Sequence, residues 1–410
     1  MAPPRHPFAV RDFRFYWVAR FTSTIAQMSM VIVIGWQVYD IARRSMDVPE
    51  AAFQLGMVGL VQFVPLFLLT LVSGWMADRV DRRHIARASI ALEIFCAAML
   101  AWLSWQGTVT LGALFAIAGL LGVARAFAGP ALGALAPNLV PREILPRAIA
   151  LSAMAWQVGS ICGPALGGYL YAWSPEMPYV VSAALFGVAL LCMLLIRPVP
   201  RPEIDASRNP WQQMIDGLHY VRRNRLVLGA ISLDLFAVLL GGATALLPVF
   251  ARDVLHVGPE GFGILRAGPA MGATAVALFL AANPIRRHAG RIMFMGVAVF
   301  GASTVVFGLS NSLWLSVAAL AVLGGADMLS VFVRQTLVQL VTPDHMRGRV
   351  ASVSSVFIGA SNELGEFESG VVARILGPVG AAVFGGVGAI MVTGLWAKLF
   401  PDLRRADRLE

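Results

Sequence analysis

The stretch LVQFVPLFLLTLVSGW, Leu60 to Trp75, contains no charged residue, while the eight residues that follow, MADRVDRR from Met76 to Arg83, contain five. A membrane-barrel strand alternates apolar and polar residues over about ten positions, whereas this run is apolar on both alternating sets. It reads as a helix in lipid, where a span needs about 20 apolar residues, ending at a charged loop in water. Runs of the same kind recur from Phe15 to the region of Phe400. They segment into spans at residues 15–39, 53–76, 85–105, 109–131, 145–171, 178–196, 226–250, 260–283, 291–310, 313–338, 348–372 and 379–400. The expected fold class is an all-α polytopic membrane protein of about 12 transmembrane helices.

Composition agrees. The 410 residues are 58% hydrophobic and 13% charged, about half the charged share of an ordinary globular protein (about 25%). The net charge of +9 would suit nucleic acid, but its placement argues against that partner. With the N-terminus assigned to the cytoplasm, 24 Lys/Arg fall in cytoplasmic segments and four (Arg43, Arg44, Arg252, Arg374) in the opposite loops. Another four (Arg20, Arg125, Arg266, Arg334) lie within or beside spans. This is the asymmetry that orients membrane proteins. It predicts a multi-pass protein with both termini cytoplasmic and the lipid bilayer, not nucleic acid, as its partner. One Lys against 31 Arg points to a GC-rich bacterial genome, hence a bacterial inner membrane. Cys96, Cys162 and Cys192 each fall in a span without disulfide or metal-ligand spacing, so no metal or cofactor is expected. The first apolar run is too long for a cleavable signal and lacks a small-residue cleavage site.

The longest polar interruption, Arg197 to Arg225, divides the spans six and six. The expected organisation is an N-terminal bundle (1–196), a cytoplasmic linker (197–225) and a C-terminal bundle (226–410). Within the linker, Asn209 is a plausible N-cap and Pro210 a first helical residue. Trp211, Met214, Ile215, Leu218 and Val221 then recur at helical spacing. That pattern predicts an amphipathic helix at the membrane surface. Two six-span halves place a substrate path between them near the midplane.

Three motifs carry a mechanism. In GWMADRVDRR (Gly74–Arg83), Gly74 permits close helix approach, and Asp78 can pair with a neighbouring Arg or face another helix's N-terminus. The cluster is either a cytoplasmic latch or ordinary topology-setting charge. In LGVARAFAGPA (Leu121–Ala131), Arg125 sits inside an apolar run, where a charge costs about 2.5 kcal/mol or far more. It needs a carboxylate, a polar cavity or a substrate. In GSICGPALGG (Gly159–Gly168), Gly159 and Gly163 share a helix face and admit another backbone, while Pro164 removes a helical hydrogen bond. The result is a kinked, close-packed helix, serving either packing alone or the sealing of a cavity.

These motifs resemble those of the major facilitator superfamily. Gly74, Asp78, Arg79, Arg82 and Arg83 match its Gly-x-x-x-Asp-Arg-x-Gly-Arg-Arg signature, with Asp81 in place of the usual Gly. The resemblance implies two six-helix bundles and a latch partner at the start of span eleven, near Arg347 and Arg349. Arg125 falls in a pattern that resembles the fourth-span motif of proton antiporters, which links it to proton coupling. Gly159, Gly163, Pro164, Gly167 and Gly168 match Gly-x-x-x-Gly-Pro-x-x-Gly-Gly, similar to the fifth-span motif that separates exporters from importers. PWQQMIDGLHYVRRN, VRQTLVQLVTPDHMRGRV, GASNELGEFESG and the long segment from Asp234 to Ala273 resemble the enterobactin-exporter-like, or transmembrane secretion effector, branch.

Acids inside spans are functional candidates by default: Glu93, Asp234, Asp327, Glu363, Glu366 and Glu368. Each is either a proton carrier, as Arg125 is a coupling candidate, or one half of an ion pair with Arg20, Arg125, Arg266 or Arg334. Arg20, Trp36, Phe63, Trp156, Phe236 and Asn362 are candidates for lining a substrate cavity. The expected function is export of an amphipathic small molecule, siderophore-like or drug-like, against entering protons, by a monomer working through alternating access. An importer or uniporter and a non-transporting sensor or scaffold are the other readings. Enzyme activity is not expected: there is no phosphate-binding loop, His-Glu-x-x-His or Gly-x-Ser-x-Gly motif.

Overall fold

The computed structural model describes residues 6–198, 210–283, 285 and 287–406. The helices are α1 (Arg11–Ala42), α2 (Val48–Arg79), α3 (Arg82–Trp105), α4 (Leu111–Leu139), α5 (Leu145–Trp173), α6 (Met177–Leu195), α7 (Pro210–Arg223) and α8 (Arg225–Leu240). After α8 the seventh span loses regularity, running through a 3-10 turn (Gly242–Leu246) and a π-helical turn (Phe250–Val254). Then come α9 (Pro259–Ala282), α10 (Ala289–Leu309) and α11 (Leu313–Val341). The last stretch, Asp344–Leu399, is helical except at Gly377, whose φ of 75° lies in the left-handed region. It separates α12 (344–376) from α13 (378–399).

Among the described residues, eleven helices are long and apolar enough to cross a membrane, the last being 54 residues long. At 1.5 Å per residue that last stretch would be about 80 Å straight, against a hydrocarbon core of about 30 Å. The turn at Gly377 makes it two spans, so each of the twelve expected spans has its helix. Local signals set the ends. Thr110 accepts from the Ala113 N–H to cap α4, Asp81 accepts from the Arg83 N–H to cap α3, and Asn224 accepts from Leu226 and Val227 to cap α8.

The chain divides into two compact units, the first Met1–Gln37 with Val64–Ser207 and the second Val38–Phe63 with Arg208–Glu410. In the first, α3 packs against α4 and α6. A buried polar chain crosses it: Tyr179 donates to Gln37 at 2.7 Å, and the Gln37 amide donates to Ser104 at 3.1 Å. Away from water each such group needs a protein partner. Tyr16 likewise donates to the Leu132 carbonyl and hydrogen-bonds Ser152, joining α1 to α4 and α5.

In the second unit, α11 packs against α9 and α10, while the 344–399 stretch packs on α8 and α10. The first half of α2 belongs here because glycines let it approach α12. A methyl on Gly56 would lie 3.0 Å from the Gly370 Cα, and one on Gly59 2.9 Å from the Glu366 Cβ. Helix α7 begins at Pro210, as expected, whereas the expected cap Asn209 and the side chain of Trp211 lie outside the described residues. Val221 of α7 is buried with Val227, Ile231, Val350 and Val353, and Met214 packs beside them. Ile215 and Leu218 remain exposed, the arrangement an interfacial helix requires.

Candidate functional site

Charge buried in the spans marks the places where chemistry can occur, because each such group must be compensated. In the first unit Glu93 of α3 is 3% exposed, and the charge of Arg125 on α4 acts on it. Two of the expected candidates therefore come together.

In the second unit α8 and α11 build a more developed site. The side chains of Asp234 and Arg334 are almost fully buried and pair at 3.2 Å. Asp327, Ser330 and Arg334 recur at i, i+3 and i+7, forming one stripe on α11. Asp327, Ser330 and Asp234 line a cleft with Ala237, Val238, Ala326, and Val297 and Phe300 of α10. Asp234 is thus held in the ion pair that was the bland expectation for it. Asp327 has no hydrogen bond or ion pair among the described residues. The Arg334 Nε is buried without a hydrogen-bond partner among the described residues.

The three glutamates of α12 are not equivalent. Glu363 is buried, Glu366 lies beside Gly59 of α2, and Glu368 is half-buried next to Ser369. Gly365, between them, touches the backbone of Val238 and Leu239 in α8. This stretch of α12 is therefore clasped by α2 and α8.

A second charged site was not expected. At the end of α1, Asp40 accepts from Arg252 at 2.6 Å and pairs with Arg44 at 3.1 Å. Arg43 pairs with Asp253 at 3.5 Å, and Tyr39 donates to the other Asp253 oxygen. Each element contributes one acid and one arginine to the crossed pair, and the π-helical turn presents Arg252 and Asp253 side by side. The sequence reading treated Arg43, Arg44 and Arg252 only as loop charges. The signal available was Asp40 lying three and four residues before the two arginines.

The predicted latch residues divide. Gly74 and Asp78 lie on α2, but their side chains are outside those described, and Arg79 and Arg82 sit at the α2–α3 junction. Arg83 is buried, paired with Asp81, and donates to the Ile196 carbonyl at 2.9 Å. Arg87, one turn on, donates to the Met193 carbonyl. Both arginines thus satisfy carbonyls at the end of α6, which a helix terminus leaves orphaned. The hydrogen-bonded Arg83 guanidinium holds the Asp81 carboxyl below the usual carboxylate range. Asp where the signature has Gly is explained by its role as the α3 cap. Arg349 pairs with Asp216 of α7 at 2.9 Å, and Arg347 donates to the Gln339 carbonyl.

The glycine motif of α5 packs against α1. Methyls added at Gly159, Gly163 and Gly167 would fall 2.8 Å from the Thr24 Cγ2, 2.6 Å from the Met28 Cβ and 2.7 Å from the Ser29 Oγ. Pro164 and Gly168 are buried in the same helix, which runs unbroken through the proline. Of the cavity candidates, Arg20, Trp36 and Trp156 lie in the first unit and Phe63, Phe236 and Asn362 in the second. The Arg20 Nε is buried without a hydrogen-bond partner among the described residues, and Trp36 is buried. Trp156 and Phe236 are exposed, with the Phe236 ring 5.2 Å from Trp396. Asn362 is exposed and donates back to the Ile358 carbonyl.

The family described as transmembrane secretion effector matches the chain over residues 2–410. The chain belongs to that family. This transmembrane secretion effector is 25% identical over 404 residues to the enterobactin exporter EntS of Citrobacter koseri, covering 96% of this chain and 92% of the relative. It is 24% identical to EntS of Escherichia coli O139:H28 over the same shares. Among solved structures it matches the nucleoside transporter NupG with a TM-score of 0.74 at 14% identity, over 95% of this chain and 100% of the other. It matches the POT family transporter PepTSo with a TM-score of 0.74 at 13% identity, over 98% and 100%. A bacterial homolog of the lysosomal transporter Spinster, inward-facing and occupied, gives 0.72 at 15% identity, over 98% and 97%. The fold is that of the major facilitator transporters, and the effector is a multi-pass membrane transporter of this type.

Proposed function

We propose that this transporter exports an amphipathic small molecule across a bacterial inner membrane in exchange for protons, as a monomer working by alternating access between the bundles 1–196 and 226–410. The observation that carries the reading is the set of span-buried carboxylates in a chain whose relatives over nearly its whole length are named exporters. A carboxylate in the hydrocarbon region costs at least about 2.5 kcal/mol when charged, so each one is offset by a partner, a proton or another cation. In the first unit the charge of Arg125 acts on Glu93, and in the second Asp234 pairs with Arg334 while Asp327 lies in the same cleft. A catecholate siderophore is the first cargo to try, since the relatives are named for enterobactin.

The glycine seam between α5 and α1 supports the export reading through its likeness to the antiporter motif. Asp78, Arg79, Arg82 and Arg347 are proposed as the cytoplasmic latch, with both termini on the cytoplasmic side. Arg83 is assigned instead to holding the end of α6.

The test is cargo-dependent proton flux in proteoliposomes under an imposed pH gradient. The panel comprises catecholate siderophores, lipophilic cations and neutral drugs, with Arg125→Ala and Glu366→Gln beside the wild type. A compound that dissipates the gradient with wild type, and does so more slowly with either variant, is the expected result. Cargo movement with no proton movement would replace antiport by uniport, and no movement of any compound by folded protein would favour a sensor or scaffold.

A further inference from the structure

We infer that Asp327 is the cation-binding carboxylate of the second bundle, taking up one monovalent cation in each cycle while Asp234 and Arg334 stay paired beside it. The inference rests on the exchange proposed above and assigns its ion to one residue. Four observations support it. The Asp234–Arg334 pair is neutral and closed at 3.2 Å, so it has no charge to offer an ion. Asp327 shares the cleft with Asp234 yet has no hydrogen bond or ion pair among the described residues. The cleft has room for about one water molecule, which suits a proton or a small dehydrated cation and not a cargo molecule. Finally, the Arg334 side chain is 3% exposed and its Nε has no acceptor among the described residues.

The charges around the cleft sum to minus one. Helix α8 contributes Asp234, and α11 contributes Asp327 and Arg334. Helix α10 faces the cleft with Val297 and Phe300. Helix α9, which packs on α11, carries Glu260 and Arg266, neither of which lines the cleft. One bound monovalent cation therefore makes the group neutral. Side chains on a helix lean towards its N-terminus, so Arg334 leans from its own turn towards Ser330 and Asp327. When Asp327 gives up its cation, Arg334 has a free N–H and a second carboxylate competing for it. The α8–α11 pairing thereby senses whether the cation is present. Where the ion is a proton, the step is plain binding: Asp327 carboxylate plus one proton gives the carboxylic acid, with no other bond changed.

The test uses the purified full-length chain and Asp327→Asn, which mimics the neutral carboxyl, with Glu50→Gln at the exposed start of α2 as a carboxyl deletion elsewhere. Difference infrared spectra across a pH titration should show a protonated-carboxyl band in wild type and Glu50→Gln that is missing in Asp327→Asn. Thermal unfolding in sodium against choline buffer distinguishes the ions. A sodium-dependent rise in Tm that Asp327→Asn abolishes supports the site and assigns it to sodium instead of the proton. In proteoliposomes, Asp327→Asn should still move cargo downhill while cargo-driven ion flux falls to near zero. An unchanged titration and unchanged sodium response in folded Asp327→Asn overturn the inference even where wild-type exchange is observed. Absence of exchange in wild type would count against the proposed function alone, because the spectra report on the site without any cargo.

Discussion

Adding one methyl at Gly163 tests whether the α5–α1 seam is as tight as its contacts indicate. The new Cβ would lie 2.6 Å from the Met28 Cβ, 2.8 Å from the Ile25 carbonyl oxygen and 3.3 Å from the Ser29 nitrogen. Two of those three atoms are backbone, so no rotamer change relieves the crowding and the helices must separate by several tenths of an ångström. Overpacking of this kind costs about 1–3 kcal/mol, and alanine's better helix propensity returns about 1 kcal/mol at most. The expected net effect of Gly163→Ala is a loss of about 1–2 kcal/mol. Gly187→Ala on α6 is the control, since a methyl there meets nothing within 4 Å. It keeps the propensity gain without the clash and should leave stability unchanged or raise it by up to about 1 kcal/mol. Thermal unfolding of both variants in one detergent, followed by tryptophan fluorescence, makes the comparison. Gly163→Ala melting together with Gly187→Ala would refute close backbone packing as the reason for the motif. Gly163→Val should then be worse than Gly163→Ala, because each further methyl meets the same backbone.

Two further outcomes follow from the charged groups. A double-mutant cycle on Asp40 and Arg252, paired at 2.6 Å but 29% and 37% exposed, should give a coupling of about 0.5–1 kcal/mol. That coupling should shrink in high salt, and an undiminished value would rule out simple ion pairing. At the α2–α3 junction, Arg83 keeps the folded Asp81 carboxyl below its usual range, so in acid the unfolded chain binds the extra proton. The pair's contribution is complete above the unfolded value of about 3.9 and is lost as pH falls through the lower folded value. Asp81→Asn should flatten the acid limb of a Tm–pH curve, and an unchanged limb would remove the pair from the account.

The spans were legible because lipid imposes one strong rule, that some 20 apolar residues must be consecutive, and apolar runs need no tertiary information. Even the separate spans 348–372 and 379–400 were read correctly from hydropathy, although the structure joins them through one residue. The irregular course after Gly241 was not legible. Residues 242–250 are apolar enough to look like more helix, and only packing against α12 and α10 reveals the 3-10 and π-helical turns. Contacts distant in sequence were equally hidden. Arg83 donates to a carbonyl 113 residues away, and Arg252 pairs across 212 residues, so the first was read as a latch residue and the second as a loop charge. The unpaired state of Asp327 against the paired state of Asp234 was invisible for the same reason: two aspartates in two apolar runs carry identical local signals.

The bend at Gly377 has a consequence for synthesis at the membrane. Most spans enter the bilayer one at a time, each with a polar loop to hold its end in water. Helices α12 and α13 are joined at a single left-handed glycine where a longer loop would otherwise stand. The dihedral angle at Gly377, with Arg374 three residues before it, sets where one span stops and the next begins. A β-branched residue at that position would favour a straight rod too long for the bilayer. The side on which residues 401–406 emerge would then be decided by which part of the rod the lipid accepts, so the topology of the chain's end depends on one backbone angle.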